Sequence, residues 1–120
     1  MRAASEISGY HAHVYFEPAT RDTAVGLREP LAARWPVELG RIHDRPIGPH
    51  TRAMYQVAFA TGDFATIVPW LMLNRAGLSI LVHPMTGDEV ADHGDHPLWL
   101  GPQLDVDLDF LRRVVAAHAP

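Results

Sequence analysis

The sequence predicts an α+β domain built on an antiparallel sheet. Four short stretches alternate apolar and polar residues in the two-residue rhythm of strands. Two longer stretches between them carry helix starts and stops.

Taken in order, residues 9–16 (GYHAHVYF) read as the first strand, rich in aromatic and β-branched types. Pro18 or Thr20 opens a helix towards Trp35, although Pro30 argues against its running unbroken. Residues 37–43 (VELGRIH) read as the second strand, and residues 44–51, with two prolines and a glycine, as a loop. Residues 53–60 read as the third strand, with Tyr55, Val57 and Phe59 on one face. Asp63 is placed to cap a helix over residues 64–76, which Pro69 kinks and Gly77 ends. Residues 78–83 read as the fourth strand, stopped by Pro84, and residues 85–97 as a polar loop. A short apolar piece, residues 98–100, and a last helix, residues 107–117, complete the chain. The order β-α-β-β-α-β is the ferredoxin-like arrangement, in which the helices cover one face of a four-stranded sheet. The other face is then open, and Tyr15 and Leu81 on it ask for cover, which a twofold partner commonly supplies.

At 120 residues, with 48% hydrophobic and 20% charged residues, the chain reads as one globular domain over residues 1–120. It has no cysteine, which excludes disulfides, thiolate metal sites and a cysteine nucleophile. Net charge is −4, and the ten basic residues, all arginines, are scattered, so nucleic acid is not an expected partner. No apolar run is long enough to span a membrane, and residues 1–9 do not read as a signal peptide, so a cytoplasmic location is expected.

Eight histidines stand out, because histidine is the commonest metal ligand and titrates near neutrality. His11 and His13 are two apart on a strand and share its face with Tyr15, opposite the apolar Val14 and Phe16. On the fourth strand, Leu78, Ile80 and Val82 share one face, leaving Ser79, Leu81 and His83 on the other. First and fourth strands are antiparallel neighbours in the expected order, which sets His83 beside His11. Three imidazoles would then converge on a site suited to Fe, Zn, Mn or Cu. His93 and His96 offer a further ligand, a supporting contact or a proton shuttle. His50 is expected at the far end of the first strand, away from His11, in a supporting or substrate role or brought to the site by a partner. His43 and His118 read as exposed and structural. There is no G-x-G-x-x-G, phosphate loop, G-x-S-x-G or H-E-x-x-H.

These pieces form a collinear series. Residues 10–16 (YHAHVYF), 46–50 (PIGPH), Trp70-Leu71, 74–79 (NRAGLS), 81–88 (LVHPMTGD), Asp92-His93 and 99–101 (WLG) together resemble the DOPA 4,5-dioxygenase family. The resemblance implies a ferredoxin-like, commonly dimeric domain that opens a catechol ring with O₂ at non-haem Fe(II), Zn being possible in a purified sample. On that resemblance His11, His13 and His83 are the expected metal ligands, and His50 or His93 the group that takes a catechol proton. Tyr15, Arg52, Arg75 and His96 are expected to contact substrate, an arginine meeting a carboxylate through a bidentate contact. Met85 stands where the family pattern leads one to expect an acidic residue. An Fe(II) triad commonly includes one carboxylate, which leaves Glu17 and Asp92 open as ligands. Three other readings remain at this stage: another metal-dependent enzyme on the same scaffold, a non-catalytic aromatic-acid binder, and a histidine-lined dimer face.

Overall fold

The computed structural model describes residues 1–119. Its strands are β1 (Tyr10–Phe16), β2 (Glu38–Leu39), β3 (Ala53–Phe59), β4 (Ile80–Pro84) and β5 (Leu98–Leu100). They form one antiparallel sheet in the order β2-β3-β1-β4-β5. The helices are α1 (Arg21–Gly26), α2 (Arg28–Arg34), α3 (Phe64–Asn74), α4 (Glu89–Gly94) and α5 (Leu108–Ala117). None of them is long and apolar enough to cross a membrane.

Alternation along β1 divides the molecule into two layers. Ala12, Val14 and Phe16 join Tyr55, Val57, Ile80 and Val82 beneath Ala24, Leu31, Ile67 and Leu71 of α1, α2 and α3. Burying such side chains is worth roughly 1.5–3 kcal/mol each for the larger ones, before the entropy of ordering is counted. The Tyr55 hydroxyl donates to the Ala24 carbonyl at 2.6 Å, satisfying a polar tip inside this layer.

The second face is not open. Tyr15, Met54 and Leu81 form a separate buried cluster, covered by Trp99, Leu104 and Val106 of the same chain. α4 also lies on this face, and α5 packs on α4, with the Leu108 side chain against Gly94. The cover expected from a twofold partner is therefore supplied by the chain's own last third.

Local differences from the sequence reading have local causes. The helix expected to run from Pro18 or Thr20 to Trp35 divides at Leu27 into α1 and α2. Pro30 falls in the first turn of α2, where a missing N–H costs nothing. The expected 37–43 strand shortens to Glu38–Leu39, while His43 rejoins β3 through a bridge to Met54. Pairing shifts by one residue between Leu39↔Val57 and His43↔Met54, so residues 40–42 absorb one extra residue as a bulge does. Asp63 makes no side-chain cap to α3; a 3-10 turn, Thr61–Asp63, leads into it instead. α3 runs through exposed Pro69 and stops at Asn74, ahead of Ala76 and Gly77, both at positive φ, which reverse the chain. β4 includes Pro84 rather than stopping before it. The expected loop 85–97 contains α4, and residues 98–100 form the edge strand β5.

The covered second face sets an expectation for stability. Leu81 is 0% exposed. Leu81→Ala should cost about 3 kcal/mol in urea unfolding, as for a core leucine. A cost below about 1 kcal/mol would mean this face is not packed as described.

Candidate metal centre

The register of β1 against β4 builds the centre. His11 is opposite His83, and His13 is opposite Leu81 one step along the same face. The Nε2 atoms of His13 and His83 lie 3.1 Å apart. Two nitrogens on one ion at roughly 2.0–2.1 Å are themselves separated by roughly 2.9–3.4 Å at tetrahedral or octahedral angles, so this spacing fits a shared ion. His11, His13 and His83 form one group able to hold a metal, as the alternation predicts. His11 is half-buried and the other two are buried, which leaves approach from the His11 side. A cavity of about 270 Å³ reaches His11 there, lined also by Ser8, Tyr10, Glu38 and Met85.

The structure enlarges the cluster to five rings. His13, His50 and His93 form a second possible ligand group that shares His13 with the first. The His50 ring centroid lies 4.1 Å from that of His13, and His93 lies 4.1 Å from His83. His50 sits beside Tyr15, towards the far end of β1 as the strand order implies, yet its ring reaches His13 within a single chain, so no partner is needed to bring it there. Its loop is laced to the C-terminal segment. The Asp107 N–H donates to the Pro49 carbonyl at 2.7 Å, the Thr51 hydroxyl to the Asp105 carbonyl at 2.8 Å, and His50 bridges to Val106.

His93 arrives on α4. The Asp88 carboxylate caps that helix by accepting from the Ala91 N–H. Asp92, 1% exposed, accepts from both the N–H and the hydroxyl of Thr86, fastening α4 to the turn after β4. An Asp-Glu start and a closing Gly94 were sequence signals for this helix, but six residues are too few to show a period.

Hydrogen bonds to backbone oxygen set two of the rings. A carbonyl only accepts, so His83 donates from Nδ1 to Pro84 and His93 from Nδ1 to Glu89, at 2.9 and 2.8 Å. Their Nε2 atoms are then free lone pairs, the arrangement metal-binding histidines commonly use. Among the described residues, His13 Nδ1 is the one buried side-chain polar atom with no hydrogen-bond partner.

Other expected site residues go elsewhere. Tyr15 is buried, with its hydroxyl 2.7 Å from His50 Nδ1. Arg52 shares with Tyr15 the lining of a cavity of about 310 Å³, but its guanidinium donates to Glu17. Arg75 donates to the Leu78 carbonyl. His96 lies beside Arg2, on a cavity of about 480 Å³ that contains none of the five clustered histidines. Neither Glu17 nor Asp92 belongs to the metal-binding groups, which among the described residues are all histidine.

Burial is the main influence on the cluster's charge, because it disfavours the imidazolium form. It lowers His11 and holds His13 well below the usual histidine range, with His50 and His83 adding to the effect at His13. His50 falls to about 3 and His83 to about 4, each through burial first and then neighbouring His93. These four rings are neutral at pH 7, so the cluster carries no positive charge of its own to repel a cation. In the unfolded chain the same rings take protons near pH 6.5. Protonation therefore favours unfolding as pH falls below that value, down through about 4 for His83 and about 3 for His50. Urea unfolding of metal-free protein should show full stability above pH 7 and a steady loss from pH 6.5 to 4. Stability that is flat across that window would contradict neutral buried rings.

Known proteins resemble this chain over most of its length. The sequence profile of the Dopa 4,5-dioxygenase family matches residues 10–110. A DOPA 4,5-dioxygenase of Amanita muscaria is 35% identical over 113 residues, covering 87% of this chain and 50% of that protein. An uncharacterised 21.2 kDa protein of Botryotinia fuckeliana is also 35% identical, covering 91% of this chain and 68% of its own. The chain thus spans about half the length of the Amanita protein. The crystal structure of a candidate dioxygenase from Nostoc punctiforme superposes with a TM-score of 0.93 at 56% identity, over 95% of this chain and 99% of that one. Matching nearly its whole described length to the profile, from the first histidine strand into the last helix, the chain belongs to the Dopa 4,5-dioxygenase family.

Proposed function

We propose that this chain is a metal-dependent dioxygenase that opens the ring of a catechol with O₂. The observation that carries the reading is the convergence of neutral imidazoles, with His13 and His83 Nε2 at the separation two ligands of one ion require. His11, His13 and His83 would hold Fe(II), and Zn²⁺ would fit the same nitrogens in a purified sample. Bound there, Fe(II) supplies a shared centre at which catechol oxygens and O₂ meet and exchange charge.

The chain's own contribution is placement and proton handling. Pairing of β1 with β4 fixes His11, His13 and His83 on rigid strands, so the donor set needs little rearrangement. His50 and His93 flank it within reach of a bound diol's protons. Cover from α4, Trp99, Leu104 and Val106 keeps water from the inner side, while His11 leaves the outer side open. Strand order and helix placement support a ferredoxin-like core extended by β5.

The test is metal content and oxygen uptake on anaerobically prepared, Fe(II)-loaded protein with DOPA and other catechols. One iron per chain and catechol-dependent uptake with a ring-opened product are expected. His13→Ala should lose both the metal and the uptake while remaining folded by circular dichroism. Uptake undiminished in His13→Ala would overturn the site. Bound metal without uptake from any catechol would point to another metal-dependent reaction.

A further inference from the structure

The hydrogen bonds around the cluster divide its histidines into two kinds. His83 and His93 donate from Nδ1 to main-chain carbonyls and turn bare Nε2 lone pairs inward. His50 has a different partner at the same atom. Its Nδ1 faces the Tyr15 hydroxyl at 2.7 Å, and a hydroxyl both donates and accepts.

The direction of that bond follows from what each choice leaves unpaired. Tyr15 is 2% exposed, and its hydroxyl has no other hydrogen-bond partner among the described residues. If His50 donated, the tyrosine proton would be buried without an acceptor, which costs roughly 1–3 kcal/mol. If Tyr15 donates, what goes unused is a spare lone pair on a hydroxyl oxygen, which costs little. The short bond therefore runs from Tyr15 Oη–H to His50 Nδ1. A neutral imidazole accepting at Nδ1 carries its hydrogen at Nε2. A ring that accepts at Nδ1 has no proton there, so its single hydrogen sits on Nε2, which bears N–H rather than a lone pair. The ring sits against the cluster, 4.1 Å from His13 and 5.9 Å from His93 between centroids.

We propose that Tyr15 is a positioning residue that holds His50 in its Nε2–H form, making His50 a hydrogen-bond donor to oxygen bound at the cluster rather than a metal ligand or resting base. Proton acceptance then falls to His93, whose Nε2 is bare. A donor aimed at an oxygen that gains negative charge stabilises that charge without reorganising. The assignment refines the dioxygenase reading and rests on it for the identity of the oxygen; the proton's position on His50 stands independently.

Two measurements separate these claims. Long-range ¹⁵N–¹H spectra of the histidine rings, on Zn²⁺-loaded and metal-free protein, report which nitrogen of His50 bears hydrogen. Nε2–H is expected in both forms, shifting to a mixture of tautomers in Tyr15→Phe, whose fold should be unchanged. A proton on Nδ1 of His50, or Nε2 bound to Zn²⁺, would overturn the proposal. In parallel, His50→Gln, which retains an N–H donor, and His50→Ala should each bind one Zn²⁺ per chain with affinity within roughly threefold of the parent, unlike His13→Ala. Loss of Zn²⁺ from both His50 variants would make His50 a ligand and the proposal wrong. With catechol, His50→Ala should lose roughly 10²-fold in kcat at little change in KM, and His50→Gln should recover part of it. Absence of catechol turnover in the parent protein would sink the dioxygenase reading and leave the spectroscopic result to judge the tautomer.

Discussion

Everything in this molecule depends on the antiparallel pairing of two strands in one register, His11 opposite His83. A slip of a single residue would exchange the faces of a strand, sending histidines into the apolar layer and Val14 or Val82 into the histidine layer. The register is held from the helix side. Ala12, Val14, Ile80 and Val82 are each at most 1% exposed, and their burial beneath α1, α2 and α3 leaves no comparable alternative. A hydrophobic pattern on one face thus enforces a polar constellation on the other. The cost of gathering uncharged imidazoles is met by a core that contains none of them.

The same alternation explains what could be read from the amino acids. His11, His13 and His83 were legible because each lies on a strand whose opposite face is plainly apolar, so side-chain direction followed from parity. The two-layer split of Tyr55, Val57 and Phe59 from Met54 followed in the same way. His50 and His93 were not legible as members of the cluster. Their positions depend on contacts distant in sequence, such as Thr51 with Asp105, and on a six-residue helix with no repeat to betray it. The cover of the second face escaped for a related reason: Leu104 and Val106 are isolated apolar residues in a polar stretch, and only docking gives them a purpose. Arg75 illustrates the opposite error. Its charge suggested a ligand contact, while its guanidinium serves the chain reversal by holding the Leu78 carbonyl across Gly101.

Chemistry in the cluster is sorted by neighbours rather than by residue type. Histidines within a few ångströms of one another differ in what they present, because one set meets carbonyl oxygen and another meets a hydroxyl. Asp92 shows the same economy. A carboxylate close to the centre in sequence is spent on Thr86, and by anchoring α4 it places His93 without touching an ion itself. The groups able to hold a metal are in consequence all nitrogen among the described residues, and such a set is less anionic than a triad containing a carboxylate.

The lacing of residues 105–107 to the His50 loop has a practical corollary for protein engineering. Exposed, polar loop segments are ordinarily the safest places for an inserted tag, a fluorophore or a fused domain. Here Asp105 is exposed, yet its carbonyl secures Thr51, and its neighbours hold Pro49 and His50. A graft placed there would disturb the histidine cluster while leaving the sheet intact, so the damage would not show in a measure of overall folding.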